Sequence, residues 1–353
     1  KRAYPCFETG DELSLKRKSQ LSSGKPPIYD RSALKLSDSD IASLKSEGKR
    51  PHYRFLLKHS DVIWPDLIKG ESKYNMSNLS DPVIIREDGR VIYTLASVVD
   101  DIDFEVTDIL RGEDHMTNSA AQIQLFEALG SLAPRLGHLS LLTDISGSGL
   151  SKRLGSLSLR DLKKEGFQPL AIASLLSRIG TSDSTDISTE LNEIIINFDI
   201  NKFGKSKPKF DKVELSALNS KFFQLIDFEN IFDDLKKINI NITKEFWYLI
   251  RGNINTLNDV NFWWDIVYGN IKTIKDSEEF TNLAIKTLPK KDFDKNTWST
   301  WTSLIMKESG RKGKDLFKPL RLCLTGQSNG PEMASLVFIM GRDKVIERLS
   351  NKS

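Results

Sequence analysis

From residue 106 to residue 130 the chain reads as a strand, a loop and a helix in direct succession, and this stretch restricts the fold more than any other. The apolar run at 106–110 fits a buried strand, which Arg111-Gly112-Glu113-Asp114-His115 then ends. A helix follows, with Thr117 or Ser119 as its N-cap and Gly130 as its stop. Two β-rich runs, 83–85 and 91–93, stand on either side of Asp88-Gly89, a strong hairpin signal. A second apolar stretch leads through Val98 and Val99 toward Asp100, and a short apolar run occupies 139–142. Strands alternating with a helix predict an α/β domain. In open sheets of that class the loops beyond the carboxyl ends of the strands carry the ligand, so Arg111, Asp114 and His115 occupy a candidate crevice.

The rest of the chain divides around this unit. Residues 8–70 mix a charged helical stretch at 10–21 with turns around Lys25-Pro26-Pro27, as a small mixed domain would. A short capped helix is predicted over 158–166 and a second over 169–180, with Ile172, Leu175, Leu176 and Ile179 at core-facing spacing. Residues 181–212 are polar and interrupted, with Lys205, Lys207 and Lys209 around Pro208, and beyond 213 the pattern is helical to the end. The reading is therefore α/β followed by all-α. At 353 residues two or three domains of ~150 residues are expected. Five of the six tryptophans (Trp247, Trp263, Trp264, Trp298 and Trp301) fall in the helical half, where large aromatics mainly fill cores, although RNA bases also stack on such rings.

Charge and cysteine content narrow the class. The 51 basic and 48 acidic residues nearly balance, which neither announces nor forbids a nucleic-acid partner. No apolar run approaches the ~18 to 20 residues of a membrane span, so no membrane role is expected. Cys6 and Cys323 are the only cysteines, which supports neither a disulfide framework nor a Cys-rich zinc site and suits a reducing compartment. Both are expected to be small buried hydrophobes. The opening residues KRAYPCFETG contain no initiator Met and no signal-type apolar core, and they read as the middle of a protein.

The stretch at 146–156, SGSGLSKRLGS, places Ser151, Lys152 and Arg153 on a small-residue loop that runs into a helix. Glycines permit close backbone approach, and adjacent hydroxyl, ammonium and guanidinium groups suit a polyanion whose charge grows during reaction. By itself such a loop is either a phosphate clamp or a solvated linker.

VIYTLASVVDDID (91–103), LRGEDHMTNSAAQIQLFEALG (110–130), the 139–142 run and GLSKRLG (149–155) stand in the order found in glutamyl-tRNA synthetases of the bacterial type, which the chain resembles. The resemblance extends to YPCFETGDELSLKRKSQLSSGKPPIYD near the start and PLRLCLTGQSNGPEMASLVFIMGRDKVIERL near the end. It implies a class I aminoacyl-tRNA synthetase that joins glutamate and ATP into glutamyl-adenylate and passes the glutamyl group to the 3′ end of tRNA-Glu. It implies residues 1–80 as a partial acceptor-end insertion, or connective, domain and 81–143 as the second half of a Rossmann-type catalytic domain. Residues 144–230 follow as a signature-loop and stem-contact domain, and 231–353 as a helical anticodon-binding domain.

Carried over residue by residue, LSKR resembles the family's second signature, which places Lys152 against the triphosphate with Ser151 supporting the loop and Arg153 as a further cation. Gly149 stands where that signature has its first basic residue. By similarity Tyr93, Ser97 and Arg111 line the glutamate pocket, with Ser97 in place of a longer amide seen in some relatives. Asp114 and His115 resemble positions near ATP, and Leu142 offers backbone contacts to adenine. Read without the family, Arg111 is a salt-bridge partner for Glu113 or Asp100, and His115 a satisfied loop histidine. Asp100 and Asp101 are read as structural. Mg²⁺ is expected with the ATP phosphates. Zinc is not expected, because Phe7, Glu8 and the lack of another nearby cysteine depart from the zinc knot that some relatives carry where Cys6 stands.

The family's first signature, rich in histidine, has no counterpart here, since His52, His59, His115 and His138 lie elsewhere. Roughly a hundred residues, the size of one βαβαβ half, are expected to be missing, leaving an apolar sheet edge and a chain inactive in adenylation on its own. Two further readings follow: an enzyme that also charges tRNA-Gln, and, for the isolated chain, a tRNA-binding module. A cytoplasmic monomer acting on tRNA, ATP and L-glutamate is expected.

Overall fold

The computed structural model describes residues 2–150, 158–238 and 242–350, and the chain separates into two compact units. The first comprises residues 1–143 with 180–182 and 199–208, and the second 144–179, 183–198 and 209–353. The elements of the first unit are β1 (Ala3–Cys6), α1 (Gly10–Ser22), α2 (Asp38–Ser46), β2 (His52–Phe55), β3 (Asp61–Asp66), β4 (Gly70–Asn75), β5 (Val83–Ile85), α3 (Tyr93–Asp103), β6 (Asp108–Gly112), α4 (Met116–Ala128) and β7 (Arg135–Leu139). Strands β1, β2 and β5 form an antiparallel sheet in that order, β3 and β4 a hairpin, and β6 and β7 a parallel pair. A full capping box of Thr9 and Glu12 starts α1, so the charged stretch at its beginning is helical for a local reason.

Strand period and pairing register position the later site. Alternation along β3 buries Val62, Trp64 and Asp66 while their neighbours face outward. In the parallel pair the register sets Arg111 opposite His138. Around them Phe55, Leu57, Met76, Val98, Leu125, Phe126 and Leu136 make one core cluster.

Four local expectations are corrected here. Asp88-Gly89 does form a turn, with Arg86 N–H donating to the Arg90 carbonyl, but the returning arm is a single bridge from Ile85 to Val91. Tyr93 already belongs to α3, because Leu95, Val98 and Ile102 pack on the core at helical spacing. The strand predicted at 106–110 lies at Asp108–Gly112 and is half-buried, with Leu110 exposed, since among the described residues β6 pairs only with β7. Neither Thr117 nor Ser119 caps α4: His115 occupies the cap position without a side-chain bond, and Ser119 is buried inside the helix. Gly130 follows the helix end at φ +81°, as its role as a stop requires.

The α-helices of the second unit are α5 (Leu159–Lys164), α6 (Pro169–Leu176), α7 (Leu191–Asn197), α8 (Lys212–Leu225), α9 (Phe228–Lys236), α10 (Lys244–Ile250), α11 (Asp259–Val267), α12 (Glu278–Lys286), α13 (Thr297–Ser309), α14 (Lys314–Thr325) and α15 (Met333–Ser350), and no strand is assigned among its described residues. Ser158 caps α5, and Pro169 opens α6 at N1. Helix α6 stops at Leu176, short of Gly180, and Leu176 is partly exposed while Leu175 is buried. Gly341, at φ 72° and ψ 169°, breaks α15 into two helical segments. Trp247, Trp263 and Trp301 are core residues, and Trp264 and Trp298 pack against that core, as the sequence predicts. Cys6 and Cys323 are both free and fully buried.

Candidate active site

Arg111 is the penultimate residue of β6, Tyr93 and Ser97 share the first turns of α3, and Gln122 projects from α4; together they form one hydrogen-bonded group in the first unit. Arg111 Nη2 donates to Gln122 Oε1 at 2.8 Å and to Ser119 Oγ, and Nη1 donates to the Tyr93 hydroxyl at 3.3 Å. Gln122 Nε2 donates to Ser97 Oγ at 2.7 Å, while Ser97 donates to the Tyr93 carbonyl at 2.8 Å. The three residues read as a glutamate pocket are thus brought together. Gln122, absent from the sequence reading, joins them.

The electrostatic state of Arg111 is informative. It makes no ion pair among the described residues, since all its acceptors are neutral and its buried Nε has no partner. The salt bridge to Glu113 does not form, because Glu113 pairs with Lys69 at 2.6 Å, which holds its carboxyl below the usual range. Asp100 is exposed on α3, outside ion-pair reach of Arg111. Burial pushes the Asp101 carboxyl up, with the Arg111 guanidinium pulling the other way and Asp100 adding to the rise. A guanidinium oriented by neutral groups keeps its charge available for a carboxylate ligand, which it grips through parallel hydrogen bonds.

Asp114 and His115 lie in a single 3₁₀ turn directly after β6. The Asp114 carboxylate sits 4.0 Å from His115 Nε2, and the His115 ring meets Tyr93 edge to face with centroids 6.0 Å apart. A Cβ at Gly112 would meet the tip of the Asp114 side chain and approach Leu141 to 3.0 Å, so the backbone passes close to both. Leu142 is half-buried three residues beyond β7. Ser151, Lys152 and Arg153 lie outside the described residues. Just before them, in the second unit, Asp144 organises a tight turn by accepting from Ser146 Oγ at 2.6 Å and from Ser148 N–H at 2.9 Å.

Behind Arg111 lies a buried polar group that no local sequence signal marks. His138 Nδ1 is 2.5 Å from Asp66 Oδ2, and His138 Nε2 is 2.6 Å from Ser119 Oγ. Burial pushes the Asp66 carboxyl up, but hydrogen bonds from His138 and from the backbone N–H groups of Lys69, Ile68 and His138 outweigh it and hold the group at about 2. Asp66 stands 72 residues before His138, so only the fold pairs them.

Among the described residues one group has metal-ligand chemistry: Cys6, Glu8 and His52, whose donor atoms lie within 4.8 Å of one another. Its thiol, carboxylate and imidazole set is not the all-oxygen environment Mg²⁺ takes. Tyr29, Ser32 and Lys16 already occupy Glu8 Oε1. Burial pushes the Cys6 thiol up to about 11, and burial with the Arg54 charge lowers His52.

Comparison with known proteins bears on the family. The family described as tRNA synthetases class I (E and Q), catalytic domain, matches residues 1–217, and an anticodon binding domain matches residues 242–352. A glutamate–tRNA ligase of Azospirillum brasilense is 46% identical over all of this chain and 79% of its own length. Glutamate–tRNA ligase 1 of Maricaulis maris is 44% identical, covering 99% of this chain and 79% of the relative. The crystal structure of a glutamate tRNA ligase from Elizabethkingia meningosepticum in complex with its amino acid superposes with a TM-score of 0.81 over 99% of this chain and 78% of that one, at 23% identity. With matching catalytic and anticodon-binding regions and relatives this similar along its whole length, the chain belongs to the glutamate–tRNA ligase family of class I aminoacyl-tRNA synthetases.

Proposed function

We propose that this glutamate–tRNA ligase selects its amino acid at Arg111 and carries out adenylation by positioning and charge stabilisation. The observation that carries the reading is the guanidinium of Arg111, held by Ser119, Gln122 and Tyr93 with no carboxylate partner among the described residues. A glutamate carboxylate supplies the missing counter-charge, and a neutral amino acid does not. The Tyr93 hydroxyl accepts from Arg111, leaving its own proton for the ligand. Ser97 acts through Gln122, which it orients.

In-line attack of the glutamate α-carboxylate on the α-phosphorus of ATP forms the mixed anhydride and expels pyrophosphate, so no protein nucleophile is needed. Lys152 and Arg153 stabilise the charge on the leaving pyrophosphate, and Ser151 supports their loop. Asp114 and His115 face the ATP, and Leu142 offers backbone groups to its adenine. Mg²⁺ accompanying the ATP phosphates would supply part of the charge neutralisation there. The terminal ribose hydroxyl of tRNA-Glu then attacks the anhydride carbonyl, releasing AMP. The division runs near residues 80, 143 and 230 into insertion, catalytic, stem-contact and anticodon-binding parts; the limits of the two matching regions, 217 and 242, support the last boundary, and the end of the first compact unit's long segment supports the one near 143. Two buried, unpaired cysteines suit a reducing cytoplasm, and a monomer suffices for every role assigned.

Pyrophosphate exchange by the natural full-length enzyme with tRNA-Glu present tests the reading. Arg111→Ala is expected to raise the glutamate KM by ~100-fold or more, the scale of a lost charge-assisted bidentate contact, while the ATP KM stays near wild type. An unchanged glutamate KM means that Arg111 is not the carboxylate site. Charging tRNA-Glu and tRNA-Gln side by side decides whether the enzyme discriminates between them.

A further inference from the structure

Strands β3, β7 and β6 and helix α4 each contribute one side chain to a single hydrogen-bonded line that starts in the core of the first unit at Asp66 and ends at Arg111. We propose that Asp66, His138 and Ser119 are positioning residues that set the orientation of the Arg111 guanidinium and so the enzyme's selectivity for a carboxylate side chain. This inference rests on the assignment of Arg111 to glutamate.

Hydrogen-bond accounting gives the line a direction. Asp66 Oδ1 accepts backbone N–H groups of Ile68, Lys69 and His138 at 3.0, 2.9 and 3.1 Å, and Oδ2 accepts Trp64 Nε1 at 3.3 Å. A carboxylate surrounded by donors only accepts, so the proton between Asp66 and His138 sits on Nδ1. In the neutral ring that leaves His138 Nε2 as the acceptor, and Ser119 Oγ at 2.6 Å gives it the hydroxyl proton. The His115 carbonyl, at 3.2 Å from the same hydroxyl, is the weaker competitor. With its proton turned toward His138, Ser119 presents only lone pairs to Arg111 Nη2, and every link points one way.

The order Ser–His–Asp is also that of a hydrolytic triad, and burial decides between the two. Ser119 and His138 are 0% exposed, and the Ser119 oxygen faces a guanidinium, so no acyl group reaches it. Two neutral links between Asp66 and Arg111 have a further consequence. A carboxylate placed directly against Arg111 would orient it equally well but consume the charge a glutamate must find, whereas the relay orients the guanidinium and leaves its charge unpaired. Register pairing of Arg111 with His138 and the inward phase of Asp66 on β3 make the line a product of the strand framework, which is where a preorganised site is best held.

The test compares Ser119→Ala with Ser119→Thr in the natural full-length enzyme, measuring pyrophosphate exchange while glutamate and ATP are varied separately. Loss of the hydroxyl is expected to raise the glutamate KM about tenfold, the scale of one hydrogen bond to a charged group, with the ATP KM held within about twofold. Ser119→Thr, which keeps the hydroxyl, is expected to return the glutamate KM to within about twofold of wild type. An unchanged glutamate KM in Ser119→Ala, an equal change in both KM values, or a threonine that fails to rescue overturns the proposal. Arg111→Ala separates the two levels: a raised glutamate KM there with a silent Ser119→Ala defeats the relay alone, and silence in both defeats the Arg111 assignment. Independently of any variant, ¹⁵N-histidine spectra of the 353-residue chain at neutral pH are expected to show His138 protonated on Nδ1 and bare on Nε2. A proton on Nε2 overturns the direction of the line.

Discussion

The two units satisfy their buried polar groups differently: in the second, even the fully buried Arg348 donates to main-chain carbonyls, those of Ile266, Gly269 and Ile271 among them. In the second, Trp247 and Trp301 are fully enclosed among Phe223, Phe246, Ile250 and Leu320, and the Trp301 indole N–H is satisfied by a main-chain carbonyl, that of Ala284, at 2.9 Å. In the first, the interior around β3, β6 and β7 holds Asp66, His138, Ser119 and Gln122, each bonded to another side chain in sequence. Burial of apolar area is non-directional, so the helical core tolerates volume-conserving changes and serves chiefly to keep its helices together. A buried polar chain is directional: each member constrains the orientation of the next, and here its outer end is Arg111.

That contrast can be broken experimentally. The largest effect is expected from Trp301→Ala, which leaves a large cavity and should cost about 3–5 kcal/mol of stability, seen as a lowered urea midpoint. If the helical core is scaffold alone, the glutamate KM of the folded enzyme does not move; a raised glutamate KM would show that the two kinds of core are not separate. Next is Lys152→Ala, which should slow adenylate formation by ~100-fold or more, as expected for a lost transition-state charge contact, without shifting the urea midpoint. Single-turnover measurement of adenylate reads this directly, and a wild-type rate removes the phosphate-clamp assignment. The smallest effect concerns acid. Because Asp66 is held at about 2, below its usual 3.8, its contribution is fully present above pH ~4 and is lost as the pH falls through the folded value, with a size on the order of 2 kcal/mol. Urea midpoints of wild type and Asp66→Asn measured between pH 5 and pH 2 should converge toward the acid end. Parallel curves would mean that the carboxylate is not what the buried chain stabilises.

Much of this was legible in the chain, and the parts that were not share a cause. Ser158 before α5, Pro169 at the start of α6 and Gly130 after α4 act within a few residues of their own position, so turn and cap chemistry marks them directly. Tyr93 was misplaced in a strand because three apolar residues in a row satisfy either period, and the helix became evident only from how Leu95, Val98 and Ile102 pack. Ser119 looked like a cap because serine suits caps; its role as a buried link depends on His138, which is 19 residues away. Arg111, Tyr93 and Ser97 were identifiable as a set by resemblance, whereas Gln122 and Asp66 carry no local mark at all.

The sequence by itself determined the order of an α/β region before a helical one, the cap of α5, the start of α6 and the stop after α4, because periodicity, caps and glycine act over single turns of chain. Only the tertiary structure decided that, among the described residues, Arg111 stands without a carboxylate and that Asp66, His138 and Ser119 line up behind it. Strand register and the inward phase of β3 bring those side chains together across 72 residues, and a hydrogen bond acquires its direction only when both partners are in place.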